Sequence, residues 1–499
     1  MGRLRSVAVD LGAGLLITAA LPPFGWWPLA VGGVAILAAR LRDRGLKGRI
    51  ATGLVTGIGL LLPGLAWMIE FSPPGWVLAA IIESAFFVLG CAVVPPGRWS
   101  ALGLPGGLVL AEALRGAWPW GGVPIATLAQ TQAGGPLAVI GRLAGPLAIA
   151  ATVGIAGVAL ERLVRRHWLT GAGAALLAGA VLVAAAAAPD GRTVGTLDVA
   201  VVQGGGPRGE RSSPAAGRRA FEAHIEASAE VPPGLDLVLW PEDVVDVRGP
   251  ALESEEGIRV QDLAVQLDTT LVVGVVEGYR DHFDNATVAL GPDGQQVDRY
   301  DKVQRVPFGE FIPFRSVVEA VADVSDVPRD ASVGEGPGLV RLGPVDAGVL
   351  ISYEVFFSRL AGEAVRAGGE VLLAPTNASS YPTSQMPSLE VAAARLRAIE
   401  TGRAVVQAAP TGFSGFIGPD GSVRETTDLG AQDVLQARVE RRTGLTPYTR
   451  MGDGPLVIGS LLALALAWAL TAVRPAARRR HDDEDPAPEP ETVTTPATV

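Results

Sequence analysis

The 499-residue sequence contains one cysteine, four histidines and few aromatic side chains. A single cysteine excludes a disulfide within the chain, and Cys91 lies in an apolar stretch where we expect packing rather than chemistry. The histidines are scattered without the spacing of metal ligands, so we predict no metal site and no cofactor. A net charge of −10 gives no indication of nucleic-acid binding.

Charged residues are also scarce, at 18%, whereas hydrophobic residues reach 48% and the mean hydropathy is +0.33. Such a composition indicates membrane spans, which need about 20 apolar residues to cross the hydrocarbon layer. Seven apolar stretches precede residue 188, and an eighth follows the long mixed segment after it. The stretches are 7–21, 26–39, 50–69, 75–94, 99–114, 143–160, 168–187 and 455–473.

The lysines and arginines in the connecting loops predict the orientation of these spans, because basic loops stay in the cytoplasm. If all eight stretches span, fifteen basic residues fall on one side, and Arg115 and Arg142 on the other. We therefore predict a multi-pass protein of the cell membrane with both termini cytoplasmic and residues 188–454 outside. The tail 474–499, basic and then acidic with many Pro and Thr, is predicted to be disordered.

The mixed segment alternates short apolar runs with helical stretches, which is typical of a layered α/β domain. Helices are predicted at 215–229, 257–267, 358–367 and 388–402, the last with Gly402 as its cap. The motif GPDG, at 291–294 and 418–421, predicts two tight reversals. Strands are predicted at 196–203, 236–242, 269–276, 285–291, 345–353, 370–377 and 404–410.

Ionisable or nucleophilic side chains interrupt the apolar runs where three strands or hairpins end. These side chains are Glu242, Lys302 and the trio Ser352, Tyr353 and Glu354. Each has a purely structural explanation: Glu242 as a cap, Lys302 as a solvated hairpin lysine, Ser352 as a small filler. Together they supply a carboxylate base, a cation and a nucleophile, a composition typical of acyl transfer.

Several motifs in one order make the chain resemble the apolipoprotein N-acyltransferase family. The motifs are RGAWPW (115–120), WPE (240–242), YDKVQRVPFGEFIP (300–313), SYE (352–354), RLRAIETGR (395–403) and TGLTPYTRMGD (443–453). The resemblance implies an eight-helix α-helical membrane bundle carrying an extracytoplasmic nitrilase-like αββα sandwich. It implies four regions: helices in 1–187, the nitrilase-like domain in 188–454, a last span at 455–473 and the tail.

The same resemblance implies a reaction and a site. A phospholipid would donate an acyl chain to the enzyme, which would pass it to the N-terminal amine of a diacylglyceryl-cysteine lipoprotein. Glu242 would be the general base, and Lys302 would stabilise the oxyanion together with a backbone N–H near Tyr353. Glu310 would orient the lysine or the base, and Tyr353 and Glu354 would flank the nucleophile.

Ser352 occupies the position at which the family has its nucleophilic cysteine. A hydroxyl must lose its proton in the transition state, and an oxyester reacts less readily with an amine than a thioester does. The segments 376–381 and 407–415, expected to line the mouth of the cleft, also depart from the family pattern. Two alternatives therefore stay open: an accessory homologue that accompanies a polyprenol-phosphate mannosyltransferase, and a related membrane amidase or acyl hydrolase.

Overall fold

A computed structural model describes residues 2–209, 213–320, 323–325 and 327–473. The tail, for which disorder is predicted, lies outside the described residues.

The first part of the chain is helical, and each of its seven predicted apolar stretches contains an α-helix. The helices are α1 (Gly2–Ala19), α2 (Pro28–Arg42), α3 (Leu46–Gly64), α4 (Pro73–Ala92), α5 (Ser100–Arg115), α6 (Ile140–Val164) and α7 (Trp168–Ala186). Helices α4 and α5 approach closely through Gly90 and Gly107, where a side chain on either residue would overlap the other's carbonyl oxygen. Small residues permit this close packing of apolar helices.

The second part of the chain is mixed and ends in a further helix. Its elements begin with β1 (Arg192–Gln203), α8 (Pro214–Ser228), β2 (Leu237–Leu239), β3 (Val245–Arg248), α9 (Glu255–Leu267), β4 (Thr270–Gly278), β5 (His282–Leu290) and β6 (Gln296–Asp301). They continue with α10 (Arg315–Val318), β7 (Asp330–Ala331), β8 (Leu339–Leu342), β9 (Val345–Val349), α11 (Ser358–Arg366), β10 (Val371–Pro375), α12 (Gln385–Thr401) and β11 (Val405–Ala408). The last elements are β12 (Gly415–Ile417), β13 (Val423–Thr426), β14 (Asp433–Thr443), α13 (Pro447–Met451) and α14 (Gly454–Ala472).

Within the described residues, four helices are long and apolar enough to cross a membrane: α4, α6 with the turn before it, α7 and α14. Helices α7 and α14 bury only 11% and 17% of their most apolar windows inside the protein. Both helices are apolar on nearly all sides, but few of these sides pack against the protein. Such exposed apolar faces are expected to contact an apolar medium. Eight spans, and the orientation derived from them, stay predictions.

The mixed part forms four layers. One sheet has the strand order β14-β1-β2-β4-β5-β6, with β3 beside β4 and β7 beside β5, and the other has the order β13-β12-β11-β10-β9-β8. Apolar side chains from both sheets meet in one core, among them Leu239, Val349 and Leu373. Helices α8 and α9 cover the first sheet, and α11 and α12 pack on the second together with residues of the helical part. The predicted αββα layering is present.

The turn and cap predictions are confirmed. Gly294 and Gly421 have φ of 76° and 79° at the ends of the two GPDG reversals, and Gly402 has φ of 66° after α12. Glycine adopts this left-handed region without the steric cost that a Cβ imposes.

Several predicted strands are too long at their carboxyl ends, among them 370–377, which ends at Pro375, and 404–410, which ends at Ala408. Two further corrections concern candidate residues. The strand predicted at 236–242 ends at Leu239, and the strand predicted at 345–353 ends at Val349. Ser352 instead begins a 3-10 turn, Ser352–Phe356, and has φ of 50°. The apolar run continues past each strand because the chain stays buried while it turns, so hydrophobicity alone does not mark the end.

Candidate active site

Lys302 lies between two carboxylates. Its Nζ donates hydrogen bonds to Oε1 of Glu242 at 2.8 Å and to Oε1 of Glu310 at 2.7 Å. The Nδ2 group of Asn285 donates to the same two oxygens, at 2.9 Å each. Lys302 is 3% exposed, Glu242 4% and Glu310 9%. Glu242 and Glu310, to which the resemblance gives the roles of base and orienting residue, therefore both lie in contact with Lys302.

The charge of Lys302 is maintained despite its burial. Burial alone would lower the pKa of the ammonium, but the charges of Glu242 and Glu310 outweigh it and raise the pKa above its usual value. The lysine is therefore a cation at neutral pH. Only Lys47 and Lys302 are lysines among the 41 basic residues of the chain. A compact ammonium fits between two carboxylates where the broad guanidinium of arginine would need more room.

Neighbouring strands fix these side chains. Glu242 follows β2, and a side chain on Gly274 of the adjacent β4 would overlap the backbone at Pro241 and Glu242. Asn285 lies on β5, and its carbonyl accepts the backbone N–H of Lys302 at 2.9 Å. Glu310 Oε2 accepts the N–H of Val306 at 2.8 Å, which closes the loop after Lys302.

Ser352 is half-buried and has a left-handed backbone. Strand β9 ends three residues before it and runs parallel to β10, with Val349 opposite Leu373. A non-glycine residue in the left-handed region costs about 1–2 kcal/mol, and such strain is concentrated at functional sites. The hydroxyl therefore lies at the carboxyl edge of a parallel pair of strands, where α/β domains gather their active sites.

Glu354 is fully buried and joins the loop after Lys302 to the loop that carries Ser352. Its carboxylate accepts four hydrogen bonds, from the Tyr300 hydroxyl (3.0 Å) and the backbone N–H groups of Val303 (2.9 Å), Gln304 (3.0 Å) and Ile351 (2.9 Å). Burial raises its pKa even though these donors oppose the shift. Glu354 therefore holds Lys302 and Ser352 in position relative to each other rather than joining the cluster around the lysine.

Tyr353 connects the sandwich to the helical part. Its hydroxyl donates to the carbonyl of Gly122 at 3.0 Å, and its ring packs edge-on against Phe357 at 5.0 Å. Gln304 makes a second link, from its Nε2 to the carbonyl of Trp120 at 3.3 Å. The loop after α5, which contains the RGAWPW motif, thus lies against both site loops.

Sequence reasoning missed Glu390, a buried glutamate on α12. Its Oε1 accepts the hydroxyl of Thr376 at 2.5 Å, and its Oε2 is buried without a hydrogen-bond partner in the described part of the chain. Burial raises its pKa to about 8. A charged residue amid the apolar face of a predicted helix was the available signal, since such a residue is seldom buried without a reason.

Asp243 and Tyr381 were missed as well. Burial, and then the charge of Glu242, raise the pKa of Asp243 well above its usual range, and Asn377 donates to its Oδ2 at 3.3 Å. Tyr381 lies edge-on between Trp67 and Phe71 of the helical part, at 5.4 and 5.2 Å. Its phenol pKa is raised by burial and then by the charges of Glu390 and Glu242.

Exposed aromatic side chains surround the site loops. Trp120 contacts Phe308 and Phe314 with ring centroids 5.9 and 6.4 Å apart, and these phenylalanines are 52% and 75% exposed. Exposed apolar patches of this kind mark surfaces that meet a membrane or another apolar partner.

The arrangement combines a carboxylate base, a fixed cation and a hydroxyl on a left-handed backbone beside an apolar surface. Glu242 can accept a proton, and Lys302 can stabilise negative charge on an attacked carbonyl oxygen. These are the requirements of acyl transfer through a covalent intermediate.

Comparison with known families gives two matches that divide the chain. Residues 13–159 match the family model of the apolipoprotein N-acyltransferase N-terminal domain, and residues 198–448 match that of carbon-nitrogen hydrolases. The second match contains Glu242, Lys302, Glu310 and Ser352.

Whole proteins also match over nearly their full length. An apolipoprotein N-acyltransferase of Mycolicibacterium smegmatis is 29% identical over 95% of this chain and 86% of its own. Those of Photobacterium profundum and Pseudomonas aeruginosa are each 27% identical over 94% of this chain and 95% and 96% of theirs. Among solved structures, a nitrilase-superfamily member from Saccharomyces cerevisiae matches with a TM-score of 0.38 and 21% identity, covering 50% of this chain and 91% of its own.

Proposed function

Because the chain belongs to the apolipoprotein N-acyltransferase family of the nitrilase superfamily, we propose that it transfers a phospholipid acyl chain to a lipoprotein's N-terminal amine. The acceptor is a diacylglyceryl cysteine. The observation that carries this proposal is the buried Lys302 between Glu242 and Glu310, joined through Glu354 to the loop of Ser352.

In the first half-reaction the Ser352 hydroxyl attacks the ester carbonyl of the phospholipid. Glu242 takes the hydroxyl proton as the new C–O bond forms, and Lys302 stabilises the oxyanion. The bond to the glycerol oxygen then breaks, and Glu242 returns the proton to that oxygen. The products are a lysophospholipid and an acyl ester on Ser352.

In the second half-reaction the acceptor amine attacks the acyl ester. An N–C bond forms, the bond to Ser352 breaks, and Glu242 passes a proton from the nitrogen to the serine oxygen. The product is an N-acylated lipoprotein, and Ser352 is free for another cycle.

A covalent adduct on Ser352 is the test of this proposal. Purified protein incubated with a phospholipid labelled in its acyl chain should form an adduct that peptide mass spectrometry locates at residue 352. Ser352→Ala should abolish the adduct, whereas Ser422→Ala, in an exposed turn, should retain it. Absence of the adduct in the wild type, or its survival in Ser352→Ala, would contradict the proposal.

The two rival functions give different results in the same assay. An accessory homologue would form no adduct, and its cellular function would survive Glu242→Gln. A membrane amidase or acyl hydrolase would form the adduct but release free fatty acid in the presence of the acceptor. Association with a polyprenol-phosphate mannosyltransferase stays a prediction from the resemblance.

The proposal includes a membrane arrangement. We propose that residues 1–187 and 455–473 form eight spans, with both termini in the cytoplasm and the nitrilase-like domain 188–454 outside. Eight helices at the predicted stretches and the exposed apolar faces of α7 and α14 support it. The exposed Phe308 and Phe314 would then meet the bilayer beside the site, where the donor must leave the membrane.

A further inference from the structure

Glu390 lies at the edge of the sheet that carries Ser352. Thr376, which donates to Glu390 Oε1, follows β10, and β10 runs parallel to β9. Val349 lies opposite Leu373, so Ser352 and Thr376 come three residues after a matched pair. Adjacent parallel strands are about 4.8 Å apart, so the two residues follow the carboxyl ends of neighbouring strands on the same side of the sheet.

Among the described residues, oxygens of the buried Glu112 and Glu161 lack a hydrogen bond as Glu390 Oε2 does, but they lie 3.6 Å from Arg115 and 2.7 Å from Arg165. Glu400 is paired with Arg397 through two hydrogen bonds of 2.7 Å, and Glu354 uses both of its oxygens. Glu390 Oε2 is buried and has no partner in the part of the chain that the structure describes. A buried acceptor without a donor destabilises the protein, so it indicates a place for a donor that the described residues do not supply.

Four ionisable side chains from separate segments act on Glu390. Burial is the main cause that raises its pKa to about 8, and the charge of Glu242 adds to it, whereas Arg208 and Lys302 oppose it. The phenol of Tyr381 is the fourth of these groups. An α-amino group has a pKa of roughly 7.7–8.0, so a proton can be shared between the two with little difference in free energy.

The second half-reaction releases one more proton than Glu242 transfers. At neutral pH the acceptor is an ammonium with three N–H bonds, and the amide product keeps one. Two protons must therefore leave the nitrogen. Glu242 moves one of them to the oxygen of Ser352, and the other needs a second base.

Resting on the proposed function, we propose that the ionised form of Glu390 binds the α-ammonium of the acceptor and takes its first proton before the amine attacks the acyl ester on Ser352. The N–H bond breaks, the proton moves to the Glu390 carboxylate, and the nitrogen keeps the electron pair that forms the amide bond. After the product leaves, Glu390 releases the proton to water.

The test separates the two half-reactions in Glu390→Gln, which retains the shape of the side chain but cannot take a proton. Adduct formation from labelled phospholipid should proceed at the wild-type rate. Transfer to a peptide bearing a diacylglyceryl cysteine should fall by roughly 10²-fold at neutral pH, the size of a lost general base. Transfer to hydroxylamine, which is uncharged at neutral pH, should be unchanged. Glu425→Gln, at an exposed position on β13, is the matched control.

Three results would overturn the inference: peptide transfer at the wild-type rate, an equal loss towards hydroxylamine, or loss of the adduct in a variant that melts like the wild type. Absence of the adduct in the wild type would instead overturn the proposed function.

If Glu390→Gln does not fold, Thr376→Val provides the second measurement. In the wild type the hydrogen bond from Thr376 to Oε1 lowers the pKa of Glu390. The substitution removes this bond and should raise that pKa. The midpoint of the pH profile for peptide transfer should therefore move upward in this variant, while the profile for hydroxylamine transfer stays in place. An unchanged profile for peptide transfer would overturn the inference.

Discussion

At residue 352 the proposed nucleophile is an oxygen, and this determines how much the proposed reaction depends on Glu242. A thiol with a pKa of about 8.5 ionises readily near a cation, whereas a serine hydroxyl needs a base during its attack. The buried Glu242, held by Lys302 and Asn285, is placed to supply that base.

Ser352→Cys should raise the rate of adduct formation, because a thiolate needs less help from the base. Glu242→Gln should slow the serine enzyme by roughly 10²- to 10⁴-fold and the Ser352→Cys variant by less. The amount of adduct at fixed times is measured in the wild type, in Ser352→Cys, in Glu242→Gln and in the double variant. These assays give the rate gained with the thiol and the rate lost without the base. Equal losses in the two backgrounds would show that Glu242 does not act on the nucleophile.

Glu390 should make the stability of the folded protein depend on pH. Its pKa is raised from 4.5 to about 8, mainly by burial, so the folded protein holds this proton where the unfolded chain has lost it. The free energy of unfolding should therefore fall as pH rises from about 4.5 to about 8, by up to about 1.4 kcal/mol per pH unit, and then level off.

The matched measurement compares melting temperatures of the wild type and Glu390→Gln in detergent across this range. The wild type should lose stability relative to the variant up to about pH 8. A difference that does not change with pH would contradict the prediction.

At the scale of elements, the site depends on how loops from different strands are joined. The loop after β6 carries Lys302, and the turn after β9 carries Ser352. Glu354 holds both through its four hydrogen bonds. The loop after α5 then lies against them through Tyr353 and Gln304.

Glu354→Gln tests this linkage. An amide can accept at one end only, so its NH₂ group would face a backbone N–H that now has no acceptor. We expect a loss of about 1–3 kcal/mol in stability and a fall in adduct formation, because Lys302 and Ser352 lose their common support. Glu363→Gln, on the solvent side of α11, should change neither the melting temperature nor the rate.

At the scale of the whole molecule, the proposed topology puts the sandwich outside the membrane. The one native cysteine is buried, so a Cys91→Ser background permits single reporters to be labelled. In intact cells, a membrane-impermeant maleimide should label Gln295→Cys, in the exposed turn between β5 and β6. It should not label Asp43→Cys, between α2 and α3, until the cells are opened. The reverse pattern would place the sandwich in the cytoplasm.

With Glu310 added only by the family resemblance, the sequence by itself predicted the helical stretches, the layered α/β fold, the two GPDG turns and the choice of Glu242 and Lys302. Each depends on a local pattern: a run of apolar residues, an alternation of elements, or a polar residue where an apolar run ends. The residues that only the tertiary structure revealed are Asn285, Asp243, Tyr381 and Glu390. They come from different segments, and their partners Lys302, Glu310 and Thr376 lie on other strands or loops, so the sequence around each residue does not show which groups it meets.

The same reason explains the misplaced strand ends. The hydrophobic pattern indicates burial, and residues 350–356 stay buried while the chain leaves the sheet except for the half-buried Ser352, so the sequence placed Ser352 on a strand. In the structure Ser352 lies in a turn instead. Glu354 accepts the N–H of Ile351 there, and the backbone of Ser352 is in the left-handed region. The sequence thus determined which atoms are available for the chemistry, and long-range hydrogen bonds and ion pairs decided which of them meet.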